Sequence, residues 1–166
     1  MLVIKYISLV GVIVITSYIG FFKASVYVER EKEIQRILNS LNYMRNKIEY
    51  TNLLMKDIFK EISINVYNNK LNMFEEALEL PMNIRNSFKE VILNNKKINN
   101  EDKNILTSLA LSFGNVDRKV QISEINIAYD FLLERLEDAK ISKIKNVKMY
   151  KTLGIMFGLV ISIILI

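Results

Sequence analysis

Apolar residues dominate both ends of the chain, and the middle alternates apolar with charged positions. A helix of about 20 residues crosses a hydrocarbon core of roughly 30 Å. Residues 2–22 reach that length. The C-terminal run reaches it when it is extended back to Met149, because Lys148 and Lys151 can extend their ammonium groups to the interface. The pattern predicts transmembrane helices at 1–22 and 149–166.

Two alternatives to the membrane helices can be weighed on the same residues. A cleaved signal peptide needs a basic start, a shorter apolar core and a small-residue cleavage site. Here the only base of the first run, Lys5, lies inside it, and residues 16–20 are a poor cleavage site. A core helix would show a polar face, which residues 154–166 lack. We therefore interpret both runs as membrane anchors.

The middle of the chain, residues 23–148, is predicted to be helical almost throughout. Apolar residues recur at three- and four-residue steps in the first segment, at Ile34, Ile37, Leu38, Leu41, Met44 and Ile48. Shorter helices are predicted at 53–67, 73–78, 84–93 and 101–113. A last helix, with apolar positions Ile125, Ala128, Leu132, Leu136, Ala139 and Ile144, continues unbroken into the second span. The predicted fold class is all-α: an antiparallel bundle of about six helices flanked by N-terminal and C-terminal transmembrane helices.

Several residues are predicted to mark helix ends. Thr51 and Asn100 are candidate N-caps for the helices that follow them. Gly114 suits the C′ position, where φ is usually positive. The last helix is predicted to begin at Asn115 or Asp117.

The amino-acid composition excludes several common kinds of catalytic site. The chain contains no His and no Cys, which excludes Ser-His and Cys-His nucleophile pairs and Cys/His zinc sites. It also lacks a phosphate-binding G-x-x-x-x-G-K-[ST] motif. The adjacent acids Glu75-Glu76 and Glu101-Asp102 point to different helix faces and are interpreted as solvated surface or as partners of the helix dipole at N-termini. The sequence predicts no enzyme activity, no catalytic residue, no cofactor and no metal.

Bases cluster on the inner flanks of the two spans. Those before the second span are Lys140, Lys143, Lys145, Lys148 and Lys151. Because bases near membrane helices favour the cytoplasmic side, both termini are predicted outside the cytoplasm and the middle inside it. Nucleic-acid binding is the other use of such a cluster. Attraction to anionic lipid explains it more simply beside a span, so no nucleic-acid partner is predicted.

Small residues one turn apart occur in both spans, as Thr16 with Gly20 and Gly154 with Gly158. Such spacing lets helix backbones approach closely in lipid. Glycine is also common in membrane helices without any packing role. The spacing leaves open packing between the two spans, a homo-oligomer, or contact with a partner protein.

The C-terminal third resembles the stage III sporulation protein AB family. The resemblance rests on Phe113-Gly114, Asp117 and Gln121, followed by a long charged helix. It continues in Lys148-Met149-Tyr150-Lys151-Thr152-Leu153-Gly154, with Gly158, and a terminal apolar run. Gly20 and the stretch Ile48-Glu49-Tyr50-Thr51 are similar to the family as well, so the resemblance covers the whole chain.

The resemblance implies a role in endospore formation, on the mother-cell side in the outer forespore membrane. Family members are encoded with proteins that build a secretion-like channel between mother cell and forespore. The soluble domain is similar to that of the inner-membrane platform protein of type II secretion and type IV pilus systems. The chain would then be a platform that links a mother-cell sporulation ATPase to membrane channel subunits. The alternative is a lipid-dependent membrane scaffold or sensor without an ATPase partner.

Overall fold

The computed structural model describes residues 2–114 and 117–164, with side chains from Ser8 onward, and these ranges contain helices but no strand. The helices are α1 (Leu2–Tyr50), α2 (Met55–Asn65), α3 (Met73–Glu79), α4 (Ile84–Asn94), α5 (Asn100–Leu111) and α6 (Arg118–Ile164). The predicted all-α fold with long apolar helices at both ends is confirmed.

The chain divides into two compact units. The terminal unit comprises the described parts of Met1–Lys32 and Glu137–Ile166, and the central unit is Glu33–Leu136. The predicted domain limits of 1–22, 23–148 and 149–166 follow membrane boundaries, so they remain a prediction beside this division.

Four phenylalanines form the centre of the central unit. Phe59 lies 5.0 Å from both Phe74 and Phe88 and 5.8 Å from Phe113, measured between ring centroids, with steep interplanar angles. Edge-to-face pairs of this kind add about 0.5–1.5 kcal/mol to the stabilisation from burial. All four rings are almost completely buried. They join α2, α3, α4 and the end of α5 into one core.

The long helices contribute apolar stripes to this core. Every member of the predicted α1 stripe is buried, and so are Ile125, Ala128, Leu132 and Leu136 of α6. Ile144 was predicted as part of the same α6 stripe, but it is 77% exposed. The prediction is wrong there because the step of five residues from the buried Ala139 to Ile144 turns about 140° around the helix, away from the stripe.

Asparagine begins three of the four short helices. The side chains of Asn72, Asn83 and Asn99 accept backbone N–H groups at the starts of α3, α4 and α5. The predicted cap Asn100 is therefore one residue late. Thr51 is not a cap either, because its hydroxyl donates to the Lys47 carbonyl in the last turn of α1.

The helix boundaries differ from the sequence prediction in two further places, and the start of α6 agrees with one of its two predicted positions. α1 runs through residues 23–25 without a break. Gly114 has φ +108°, but it lies two residues past the C-cap Ser112 rather than one. α6 begins directly after Asp117, whose carboxylate accepts the Lys119 N–H at 3.4 Å; Asn115, the other candidate, is outside the described residues.

Candidate functional site

The terminal unit is an antiparallel helix pair whose backbones touch at glycine. A β-carbon added to Gly154 would lie 2.9 Å from the Thr16 carbonyl oxygen and 3.0 Å from Gly20 Cα. One at Gly158 would lie 2.4 Å from Thr16 Oγ1 and 2.9 Å from Ile13 Cα. A side chain larger than hydrogen at Gly154 or Gly158 would force the neighbouring atoms of α1 to shift. The small residues that the sequence analysis identified in the two spans therefore face each other.

A polar contact lies deep in the same pair. The Ser162 hydroxyl donates to the Leu9 carbonyl oxygen at 3.3 Å, and both side chains are buried. Thr16 satisfies its own hydroxyl within α1, through the carbonyls of Val12 and Ile13. In an apolar environment an unsatisfied hydroxyl is costly, and these bonds avoid that cost.

Beyond the glycines, aromatic and charged side chains of the same two helices contact each other. Tyr27 and Tyr150 stack with ring centroids 5.8 Å apart and planes inclined by 23°. Lys143 Nζ lies 2.6 Å from a Glu31 carboxylate oxygen. Neither Tyr27 nor Glu31 stands in an apolar pattern or a small-residue motif, so the sequence alone does not predict these two contacts.

The lysines of the predicted basic cluster have different surroundings in the structure. Lys143 pairs with Glu31, and Lys140 lies 3.7 Å from the Glu137 carboxylate within its own helix. Lys151 places its ammonium 5.2 Å from the Phe21 ring centroid. Lys145 and Lys148 are exposed.

The outward faces of both terminal helices are apolar. In the part of the chain that the structure describes, two helices are long and apolar enough to cross a membrane, and only 17% and 11% of their most apolar stretches is buried. A core helix of a soluble domain is mostly buried. On α6, Leu153 is 39% exposed while its neighbour Gly154 is buried.

The remaining motif residues lie in the central unit. Gln121 Nε2 donates to the Ser112 carbonyl at 3.3 Å, and Arg85 Nε donates to the Phe113 carbonyl at 2.9 Å. These two bonds hold the carbonyls before Gly114, where the chain turns from α5 towards α6. The eight motif residues thus form two groups: Gly114, Asp117 and Gln121 in the central unit, and Lys148, Tyr150, Leu153, Gly154 and Gly158 in the terminal unit.

Comparison with known proteins agrees with the resemblance. The stage III sporulation protein AB family matches residues 5–166. The chain belongs to that family. A stage III sporulation protein AB from Bacillus subtilis (strain 168) is 23% identical over 172 residues, which cover 98% of this chain and 99% of the relative. No solved structure matches.

The family is named for sporulation and not for a reaction. Within the described residues, no group of three or more Asp or Glu side chains is arranged to hold a metal ion. Glu61 lies 2.7 Å from Lys47 Nζ and accepts from the Tyr43 hydroxyl at 2.8 Å. These two neighbours lower the pKa of the Glu61 carboxyl, Lys47 more than Tyr43.

Proposed function

We propose that this chain is a non-enzymatic membrane platform of the secretion-like channel between mother cell and forespore. It links a mother-cell ATPase to membrane channel subunits. It lies in the outer forespore membrane, with the central helices in the mother-cell cytoplasm. The family membership supports the role in sporulation, and the platform role extends it through the resemblance to secretion platforms.

The observation that carries the proposal is the packing of Gly20 against Gly154. This contact gives the N-terminal helix a structural partner at the other end of the chain. A signal sequence that is removed would have no such partner, so the contact supports two retained anchors. Two anchors packed together hold both ends of an intervening domain at one place in a membrane, which suits a platform.

The distribution of charge supports the cytoplasmic placement. The bases that flank the spans lie on the inner side of both, and Lys145 and Lys148 present exposed charge there. A reporter active only outside the cytoplasm should be active after Ile166 and silent at Lys96. The reverse pattern would contradict the platform.

The direct test is co-purification of the tagged full-length chain from membranes of sporulating cells. The ATPase encoded with the family and the channel subunits should both be recovered in mild detergent. Recovery of anionic lipid without ATPase would favour the lipid-dependent scaffold. ATP hydrolysis by the purified chain alone would contradict the non-enzymatic role.

A further inference from the structure

An open cavity of about 480 Å³ lies in the central unit, at the loop between α1 and α2. Its apolar wall includes Ile48, Leu53, Leu54, Ile58 and Ile84. Gly114, Arg118 and Gln121 also line it. Ile48 and Thr51 from one stretch that carries the family resemblance, and Gly114 and Gln121 from another, therefore line this one cavity.

Large apolar side chains stand exposed in its lining, at Leu53 and Leu54, and directly before Thr51 in the chain, at Tyr50. Tyr50 is 78% exposed, Leu54 72% and Leu53 40%. A single exposed leucine needs no explanation, but three neighbouring large side chains beside a cavity are typical of an interaction surface.

The loop that carries these side chains is fixed in place. Thr51 donates its hydroxyl to the Lys47 carbonyl at 2.5 Å and accepts the Leu53 N–H at 3.4 Å. Arg118 Nη2 donates to the Thr51 carbonyl at 3.2 Å and to Asn52 Oδ1 at 2.5 Å. The leucines are thus held in the exposed position by both α1 and α6.

Leu54 also occupies a position where a polar residue would stabilise the start of the helix. It is the N-cap of α2 and makes no side-chain bond there, whereas α3, α4 and α5 all begin with a capping Asn. Apolar N-caps are strongly disfavoured compared with Ser, Asp or Asn. An exposed residue that lowers stability is expected where the side chain serves binding.

The charge of the cavity indicates its occupant. Its charged lining residues are Lys56 and Arg118, both basic. The two bonds from Arg118 end on neutral oxygens rather than on carboxylates. A carboxylate beside a bulky apolar side chain complements this combination.

We propose that this cavity and the exposed side chains beside it, the Leu54 surface (Tyr50, Leu53, Leu54, Lys56 and Arg118), dock an acidic, apolar segment of the cytoplasmic ATPase. The inference rests on the proposed function, because the ATPase is the partner named there. The segment inserts an apolar side chain between Ile48 and Ile58 and places a carboxylate near Lys56 and Arg118.

The binding test uses the full-length chain in nanodiscs of uncharged lipid and the purified ATPase as probe. Lys56→Glu should weaken binding by at least about tenfold, because it places a carboxylate opposite a carboxylate. Lys60→Glu, which makes the same charge change one turn later on α2 outside the cavity lining, should bind like wild type. An acid in the first turn of a helix is favourable, so Lys56→Glu should remain folded.

A photo-crosslinking amino acid locates the contact. Placed at Leu54 it should crosslink to the ATPase, and the crosslinked ATPase peptide should contain Asp or Glu. The matched control is Leu71, a leucine of the central unit that is 77% exposed outside the cavity lining. It should give no product above background.

The possible outcomes distinguish a failure of the proposed Leu54 surface from a failure of the proposed platform function. If the ATPase binds wild type and Lys56→Glu equally, or crosslinks to Leu71 as well as to Leu54, the Leu54 surface is wrong and the platform stands. If the ATPase does not bind the wild-type chain, the platform and the surface both fail. Crosslinking of Leu54 to a second copy of this chain or to lipid would also overturn the proposed occupant.

Discussion

A β-carbon on Gly20 would lie 2.9 Å from Cα of Gly154 and 2.6 Å from the Tyr150 carbonyl oxygen. The obstacles are backbone atoms, which cannot move aside as a flexible side chain can. The two helices therefore depend on hydrogen as the side chain at both positions. Gly11, in the same helix as Gly20, has nothing within 4 Å of its added β-carbon.

This difference between glycines gives the first prediction. Gly20→Leu and Gly154→Leu should each separate the terminal helices and lower the melting temperature of the full-length chain in detergent. Overpacking of this kind costs typically 1–3 kcal/mol. Gly11→Leu adds the same bulk to the same helix and should melt like wild type.

Sporulation provides the second readout for these variants. Spore yield should fall for Gly154→Leu with Gly158→Leu while the protein remains in the membrane. A normal spore yield in that double variant would show that the helix contact is dispensable and that the spans act only as anchors.

The phenylalanine core gives the second prediction. Phe59→Ala removes a completely buried ring that contacts three others, so it should lower the free energy of unfolding by about 3–5 kcal/mol. Urea unfolding of a soluble fragment of residues 24–146 measures the change. Phe131→Ala is the control, because that ring is 53% exposed and its loss should cost much less. Equal effects would contradict the observed core.

The third prediction concerns the start of α2. Leu54→Ser supplies the missing cap and should raise the free energy of unfolding of the same fragment by about 1 kcal/mol. On the proposal above, the same change should weaken ATPase binding, because it removes an apolar side chain from the Leu54 surface. If Leu54→Ser is more stable but binds the ATPase as well as wild type does, the proposed role of Leu54 in docking is wrong.

The fourth prediction is a pH dependence. Since Lys47 and Tyr43 lower the pKa of Glu61, its contribution to stability is present above the ordinary glutamate pKa of about 4.3 and is lost as the pH falls through the lowered value. Glu61→Gln should therefore unfold at lower urea than wild type at neutral pH. The difference should shrink on acidification through that range.

The control for this titration is Glu90→Gln, which neutralises an exposed acid on α4. Its unfolding midpoint should stay close to that of wild type across the same pH range. A constant difference between Glu61→Gln and wild type at every pH would contradict the pairing.

The fold could be predicted because helical periodicity is strong in most segments. The α1 stripe from Ile34 to Ile48 lies wholly in the core, and the short helices begin and end within a few residues of their predicted limits. Capping was less predictable. Thr51 is a good cap by residue type, but its hydroxyl bonds backwards to Lys47, and local sequence does not distinguish the two uses.

Long-range pairing was the part that sequence could not give. The small-residue spacing was compatible with packing of Gly154 and Gly158 against a helix, but it established neither the packing nor the partner. Tyr27 with Tyr150 and Glu31 with Lys143 join residues more than a hundred positions apart. The Leu54 surface was hidden for the same reason, because its walls come from α1, α2, α4 and α6.

The meeting of Gly20 with Gly154 also has a thermodynamic consequence. While the two terminal helices stay paired, this contact closes a loop on the order of 130 residues, and the unfolded central segment then has fewer conformations than an open chain. A covalent closure of that size would stabilise the folded state by up to about 5 kcal/mol. The central helices should therefore resist denaturation better between their paired anchors than as a free fragment. Separating the anchors should weaken a domain whose own side chains are unchanged.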